Sequence, residues 1–293
     1  MLCLTMKNID NKMKKLLLSV LALTLLMPFT MSSKDKESRK GLTVMSYNIR
    51  LASGKDGTNS WEYRYPATAM MIEDLMPDVI GMQEVEYVAF RYLGDVFDKT
   101  YKIVGVGRDD GKKGGEIMAV MYNSKTVSLQ KWGTFWLSET PDKPSRGWDA
   151  ACNRCATWAV MKDKASGKSF FFVNTHLDHI GTEAQKNGIQ LVLDKIEELN
   201  KGKLPVVLTG DFNMELDNAA FDVIKKKMSN ARQSAVVSDD HFTYNGWGKA
   251  SDSIDYIWHD GFSSCIQYET VTKPYMDRTF ISDHFPIKAV LVF

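Results

Sequence analysis

The sequence carries no bulk charge of either sign: 37 Lys+Arg stand against 36 Asp+Glu in 293 residues, a formal net charge of +1. A protein that grips duplex nucleic acid non-specifically carries a clear basic excess, because phosphate neutralisation drives that binding. Cysteine is scarce, with Cys3, Cys152, Cys155 and Cys265 the only four. Cys152 and Cys155 form a lone C-x-x-C, and a structural zinc site needs a second pair that the chain lacks. An exported chain can hold a disulfide, but the Cys beyond Cys3 are odd in number; the plain reading is small, partly buried side chains near a strand start. Repeats, low-complexity tracts and long linkers are absent. The uncharged run Leu16 to Met27 is far short of the roughly 20 apolar residues that span a bilayer.

What is present is globular. Hydrophobic residues make up 44% and charged residues 25%, close to the averages for soluble domains and against disorder or coiled coil. Lys7, Lys12, Lys14 and Lys15 precede the short apolar run, and Pro28, Thr30, Ser32 and Ser33 follow it. That order is a secretory signal peptide over 1–33, which implies an exported, periplasmic or secreted protein with membrane contact only through that segment. A polar leader covers 34–41 and the folded domain 42–293. Without residues 1–33, 33 basic residues face 35 acidic ones, so the mature chain is slightly acidic.

Short apolar runs alternate with amphipathic stretches. Strands are expected at 42–47, 79–82, 117–122, 155–161, 170–174, 206–208, 253–258 and 287–293, and helices at 61–76, 87–97, 182–200 and 218–228. Early β-α-β alternation with later strand-rich segments indicates a layered α/β protein with mixed sheets and no domain boundary.

The apolar runs repeatedly end in an acid, amide or imidazole. TVMSY leads into Asn48, VIGMQ into Glu84, FFFV into Asn174 and His176, VVLTG into Asp211 and Asn213; Asp255 lies at a strand start and Asp283-His284 before the last strand. One such residue is usually a turn former or cap. Six endings of one chemical type point to a shared sheet edge, where α/β proteins place ligand sites. Oxygen ligands dominate, which suits a hard cation, Mg²⁺ or Mn²⁺. Histidines beside carboxylates add proton transfer near neutral pH. Together these fit hydrolysis of a phosphate ester.

In order along the chain, MSYNIR (45–50), GMQE (81–84), NTHLDH (174–179), TGDFN (209–213), SIDYIW (253–258) and SDHFP (282–286) resemble the endonuclease/exonuclease/phosphatase superfamily of deoxyribonuclease-like metal-dependent phosphoesterases. The stretches between them resemble a bacterial exported branch. The resemblance covers about residues 42–293. It implies a four-layered α/β/β/α sandwich of two mixed β-sheets with the site at one end. It implies Asn48, Glu84 and Asp283 as metal ligands, Glu84 the principal one. His284 resembles a general base or phosphate contact oriented by Asp255, and His176 a phosphate contact or general acid. Asp211 and Asn213 resemble the water-activating or leaving-group acid and a transition-state donor, left unseparated. Asn174, Arg154 and Tyr122 are candidate substrate contacts. Arg154 is a candidate phosphate clamp because Gln185 stands where relatives often carry Arg; Tyr122 closes GGEIMAVMY after Glu116.

The glycine-rich 105–115 lacks both the dinucleotide-binding spacing and G-K-[ST], and reads as a mobile loop rimming the site. One or two of the seven Trp are expected on the rim as stacking platforms, the rest in the core; His179 and His241 read as structural or as supports behind the site residues. The implied partner is a phosphate ester: a nucleotide, short single strand, sugar phosphate or inositol phosphate. The chain reads as a monomer with no obligate protein partner. A non-catalytic exported binding protein on the same scaffold is the alternative.

Overall fold

Alternating apolar positions of period two build two sheets here, and helical stretches cover their outer faces. The structure is a computed structural model that describes residues 41–293. The expected signal segment, and the leader before Gly41, lie outside the described residues. The strands are β1 (Leu42–Asn48), β2 (Val79–Val85), β3 (Tyr101–Val104), β4 (Ile117–Asn123), β5 (Val127–Trp136), β6 (Cys155–Asp163), β7 (Ser169–His176), β8 (Val206–Asp211), β9 (Ser229–Asn230), β10 (Asp255–Asp260), β11 (Ser264–Thr270) and β12 (Ile287–Val292). The helices are α1 (Trp61–Leu75), α2 (Tyr87–Val96), α3 (Thr182–Leu199) and the single turns α4 (Asp222–Lys225) and α5 (Ala231–Ser234).

One sheet has the order β11-β12-β1-β2-β4-β3 and the other β5-β6-β7-β8-β10-β9. Each is built around one parallel pair, β1 with β2 and β7 with β8, flanked by antiparallel neighbours. Between the sheets Leu42, Val44, Val79, Phe170, Phe172, Val207 and Ile257 form one core. The opposite face of the first sheet, with Met45, Tyr47 and Ile80, packs on α1 and α2. The second sheet packs on α3 through Ile189, Val192, Leu193 and Ile196, a helical spacing. These are the four layers α/β/β/α.

Side chains along a strand alternate between faces, so the inter-sheet face can be followed residue by residue. It reads Leu42, Val44, Ser46, Asn48 on β1, Phe170, Phe172, Asn174, His176 on β7, and Val207, Thr209, Asp211 on β8. The sandwich interior is apolar at one end and polar at the other. In the middle, Asn174 donates to the carbonyls of Met82 (2.8 Å) and Ala119 (3.0 Å) and accepts from Gln83 (2.6 Å) and Thr209 (3.1 Å). The sheets approach closely here: a Cβ at Gly81 would stand 2.1 Å from Thr209 Oγ1.

The strands without a sequence expectation, β3, β5, β9 and β11, lie toward the sheet margins. β5 alternates poorly because its middle is exposed. The helix expected over 218–228 is broken into a 3₁₀ turn, Ala219–Phe221, and α4. Cys152, Cys155 and Cys265 are all free thiols, the last two buried. No helix among the described residues is long and apolar enough to cross a membrane.

Candidate active site

Strand direction decides which polar residues meet. β1, β2, β7 and β8 bring their C-terminal ends to one edge, with Asn48, Glu84, His176 and Asp211. Their antiparallel neighbours begin there: Glu116 precedes β4, Arg154 precedes β6, Asp255 opens β10 and Asp283-His284 precede β12. Glu84, Glu116, Arg154, His176, Asp211, Asp283 and His284 line a cavity of about 420 Å³ with Arg50, Arg108, Cys152, His179, Asn213 and Tyr244.

Alternation alone sends Glu84 to the wrong face, because Ile80 and Met82 point at the helices. A bulge in β2 between Met82 and Val85 and a left-handed φ of 59° at Glu84 turn it into the cavity. Bulges re-aim side chains in this way, and a non-glycine residue holds positive φ only where its surroundings enforce it. Glu84 Oε2 accepts from the Leu51 amide (2.9 Å), and Oε1 accepts from Asn48 Nδ2 (3.0 Å). The loop carrying Leu51 is pinned by Arg64, a fully buried cation that donates to the carbonyls of Ile49 (2.6 Å), Arg50 (3.1 Å) and Ile281 (3.1 Å).

Asp211 Oδ2 is where several groups converge. It accepts from Asn48 Nδ2 at 3.0 Å, and His176 Nε2 and His284 Nε2 stand 3.4 and 3.7 Å away. Its Oδ1 accepts from the Asn213 amide at 2.9 Å. Burial and neighbouring Asp255 push the Asp211 carboxyl up to about 7, although His284, the Asn213 amide and Asn48 pull it down. Burial opposes charging of His284, but Asp255, Asp211 and Asp283 outweigh it and raise it to about 10. His176 goes the other way: burial, reinforced by Arg154 and Arg108, holds it well below the ordinary value, so it is neutral. Its Nδ1 lies 3.8 Å from Glu116 Oε2. Burial, and then Glu84, push Glu116 up to about 7 despite a bidentate pairing with Arg108 at 2.7 and 2.8 Å.

This donor set fits a hard divalent cation. Glu84, Glu116, Asp211 and Asp283 crowd one cavity; Arg108 pairs with Glu116 at 2.7 Å, and Arg50 is shared between Asp56 at 3.0 Å and Asp283 at 3.6 Å, while Arg154 is engaged with Asp178 at 3.3 Å. Burial raises Asp283 as well as Asp211 and Glu116, and a bound cation would offset that cost by favouring their charged forms. Asp211, Asp255 and His284 also bring ligand atoms within 4.8 Å of one another. There His284 Nδ1 and Asp255 Oδ2 are already joined at 2.8 Å, while the second Asp255 oxygen, Oδ1, has no hydrogen-bond partner. Glu84 and Asp283, which also line the cavity, are a second set that could hold a cation.

Three of the candidate residues have neighbours that the sequence did not reveal. Asn48 does not offer its carbonyl to the cavity: Oδ1 accepts from the Arg50 amide at 3.0 Å, and the amide nitrogen bridges Glu84 and Asp211 as a donor. Asn174 touches no cavity, because all its capacity goes into joining the two sheets. Tyr122 sits at the far end of β4 from Glu116, packed against the inter-sheet core. No Trp lines the cavity; Trp136 instead donates to the Arg108 carbonyl at 2.6 Å. Segment 105–115 is a hydrogen-bonded turn, with Gly107 N on Lys112 O and Asp110 Oδ1 accepting from the amides of Lys112 and Gly114. Gln185 bonds the Asp178 carbonyl outside the cavity, and His179, read as structural or supporting, stands on its rim. Arg50, Arg108, Glu116 and Tyr244 were not assigned from sequence. A search for polar residues after strands misses Glu116, which lies before an antiparallel one.

A sequence model of the Endonuclease/Exonuclease/phosphatase family matches residues 45–284. Among solved structures, a mannosyl-6-phosphatase of Bacteroides thetaiotaomicron VPI-5482 superposes with a TM-score of 0.81 at 37% identity, over 86% of this chain and 100% of its own. The human Nocturnin catalytic domain superposes at 0.67 and 19% identity over 86% of this chain and 93% of its own, a likeness of fold. In sequence, uncharacterized protein L388 of Acanthamoeba polyphaga mimivirus is 25% identical over 80% of this chain and 92% of its own. The Ccr4 exoribonuclease subunit of Saccharomyces cerevisiae is 23% identical over 86% of this chain, which spans only 39% of that relative. With ordered motifs, sheet topology and family match in agreement, the chain belongs to the endonuclease/exonuclease/phosphatase family.

Proposed function

We propose that this protein hydrolyses phosphate monoesters of small hydroxyl-rich molecules, sugar phosphates among them, with Mg²⁺ or Mn²⁺ bound by Glu84 and Asp283. The convergence of His176, His284 and Asn48 on Asp211 Oδ2 carries the reading. The bound cation supplies charge to the phosphoryl oxygens and lowers the cost of their approach to the carboxylates. Asp211 takes a proton from water as its oxygen attacks phosphorus and the ester P–O bond breaks. His284, held charged by Asp255, donates to a phosphoryl oxygen, which makes it a phosphate contact rather than the base. His176 is neutral and has no acidic proton to give, so it contacts the phosphoryl oxygens, and the proton that Asp211 took from water passes to the departing alcohol. Asn213 and Arg154 contact the phosphoryl oxygens; Arg suits phosphate because its donors match that geometry.

The monoester preference rests on the 37% identity to a protein named as a mannosyl-6-phosphatase. It also rests on the cavity wall, where Tyr244 is the one aromatic ring apart from histidine and packs against His284 with ring centroids 4.9 Å apart. Single strands are held by aromatic platforms. Export follows from the basic and apolar N-terminal pattern. The test is turnover of p-nitrophenyl phosphate, bis-p-nitrophenyl phosphate and mannose 6-phosphate with Mg²⁺, Mn²⁺ or EDTA. Absence of metal-dependent turnover on all of them rejects the hydrolase, and a preference for the diester rejects the monoester reading.

A further inference from the structure

The floor of the cavity is buried and its rim has two sides of different chemistry. On the side of Asp283 the rim is Arg50, Leu51, Ile254 and Tyr244; on the other it is Arg108, Cys152 and His179. His179 is the exposed member of the lining. Its Nδ1 stands 2.9 Å from Arg154 Nη2. A guanidinium has no acceptor and does not lose its proton in proteins, so this bond makes His179 Nδ1 the acceptor. With Nδ1 accepting, Nε2 is the ring nitrogen that carries N–H and can donate. Arg154 is itself 5% exposed and anchored through Nε to Asp178 at 3.3 Å. Burial works against ionisation of Asp178, but the amides of Gly181, Ile180 and Ala151 and then Arg154 hold it down to about 2. The chain from Asp178 through Arg154 to His179 thus fixes one imidazole tautomer at the mouth of the cavity.

We infer that His179, oriented by Arg154 and Asp178, donates to a hydroxyl oxygen of the leaving alcohol and so selects polyol phosphates over aryl phosphates. This rests on the phosphomonoesterase reading. Both arginines of this wall are matched by carboxylates, Arg108 by Glu116 and Arg154 by Asp178. The subsite therefore offers directed donors and acceptors without the surplus positive charge that a second phosphate needs. That is the chemistry of an uncharged, hydroxyl-bearing group, whereas the arginine of the opposite rim, Arg50, is taken up by Asp56 and Asp283.

The experiment compares mannose 6-phosphate and glucose 6-phosphate with p-nitrophenyl phosphate, whose leaving group has no free alcohol before cleavage, on wild type, His179→Ala and His179→Gln. Loss of one hydrogen bond to the substrate corresponds to a fall of about tenfold in kcat/KM. The ratio of sugar-phosphate to p-nitrophenyl phosphate kcat/KM should fall by about that factor in His179→Ala, chiefly through KM. His179→Gln keeps an acceptor for Arg154 and a donor for the substrate, and should recover most of the ratio. An equal fall on all substrates, no fall, or no difference between the Ala and Gln variants overturns the inference, as does wild-type turnover of p-nitrophenyl phosphate alone. Wild type inactive on every substrate rejects the phosphomonoesterase reading instead.

Discussion

His284 Nδ1 and Asp255 Oδ2 are 2.8 Å apart and both residues are buried. The bond runs from the loop before β12 in one sheet to the first residue of β10 in the other. It therefore ties the sheets together at the site, and it leaves Nε2 of the imidazole facing Asp211.

Asp255→Asn keeps the shape of that contact and removes the charge that holds His284 protonated. Activity should fall by about 10²–10⁴, the range in which positioned acid–base groups act, with the circular dichroism spectrum unchanged. A variant within a few-fold of wild type means that His284 does not depend on Asp255.

Asp211→Asn should abolish turnover yet raise the melting temperature of the metal-free protein. Burial lifts the Asp211 carboxyl to about 7, above its value in the unfolded chain. Its ionisation therefore costs stability progressively as pH rises from the ordinary carboxylate range toward 7, and the loss stays constant beyond. The variant's advantage should accordingly be greater at pH 8 than at pH 4; an equal or lower melting temperature at pH 8 contradicts a carboxyl raised by burial.

Added Mg²⁺ should raise the melting temperature of wild type, because a ligand that binds only the folded state stabilises it. EDTA should reverse the shift, and Glu84→Gln should lack it. A full Mg²⁺ shift in Glu84→Gln places the cation elsewhere.

Gly81→Ala should destabilise the fold by about 1–3 kcal/mol, the usual cost of overpacking, since the new Cβ meets Thr209 Oγ1 at 2.1 Å. Urea unfolding measures this, and a loss under about 0.5 kcal/mol, typical of harmless surface changes, means the sheets separate freely at that point.

A layered α/β protein with mixed sheets and the clustering of polar residues at strand ends were legible from the alternation of apolar runs and from the runs of β1, β7 and β8, whereas the four layers came with the family resemblance. Glu84 was found by its place after an apolar run, but its orientation depends on a bulge that no alternation pattern reveals. Asn174 and Asn48 illustrate the converse. Their residue type and position match those of ligands, yet their hydrogen-bonding capacity is spent on Met82, Ala119, Arg50 and Asp211. Which of its neighbours an amide faces is settled by folding across both sheets, and Glu116 was overlooked because antiparallel strands reach the shared edge at their beginnings.

The polar middle of the sandwich has a kinetic consequence. Asn174 on β7 bonds carbonyls of β2 and β4 in the facing sheet, so neither sheet can swing open without stranding buried amide groups. Amide protons of the central strands should exchange only through whole-molecule opening. The catalytic edge and the hydrophobic interior then belong to one cooperative unit, and partial melting that spares the fold while dissolving the site is not open to this protein.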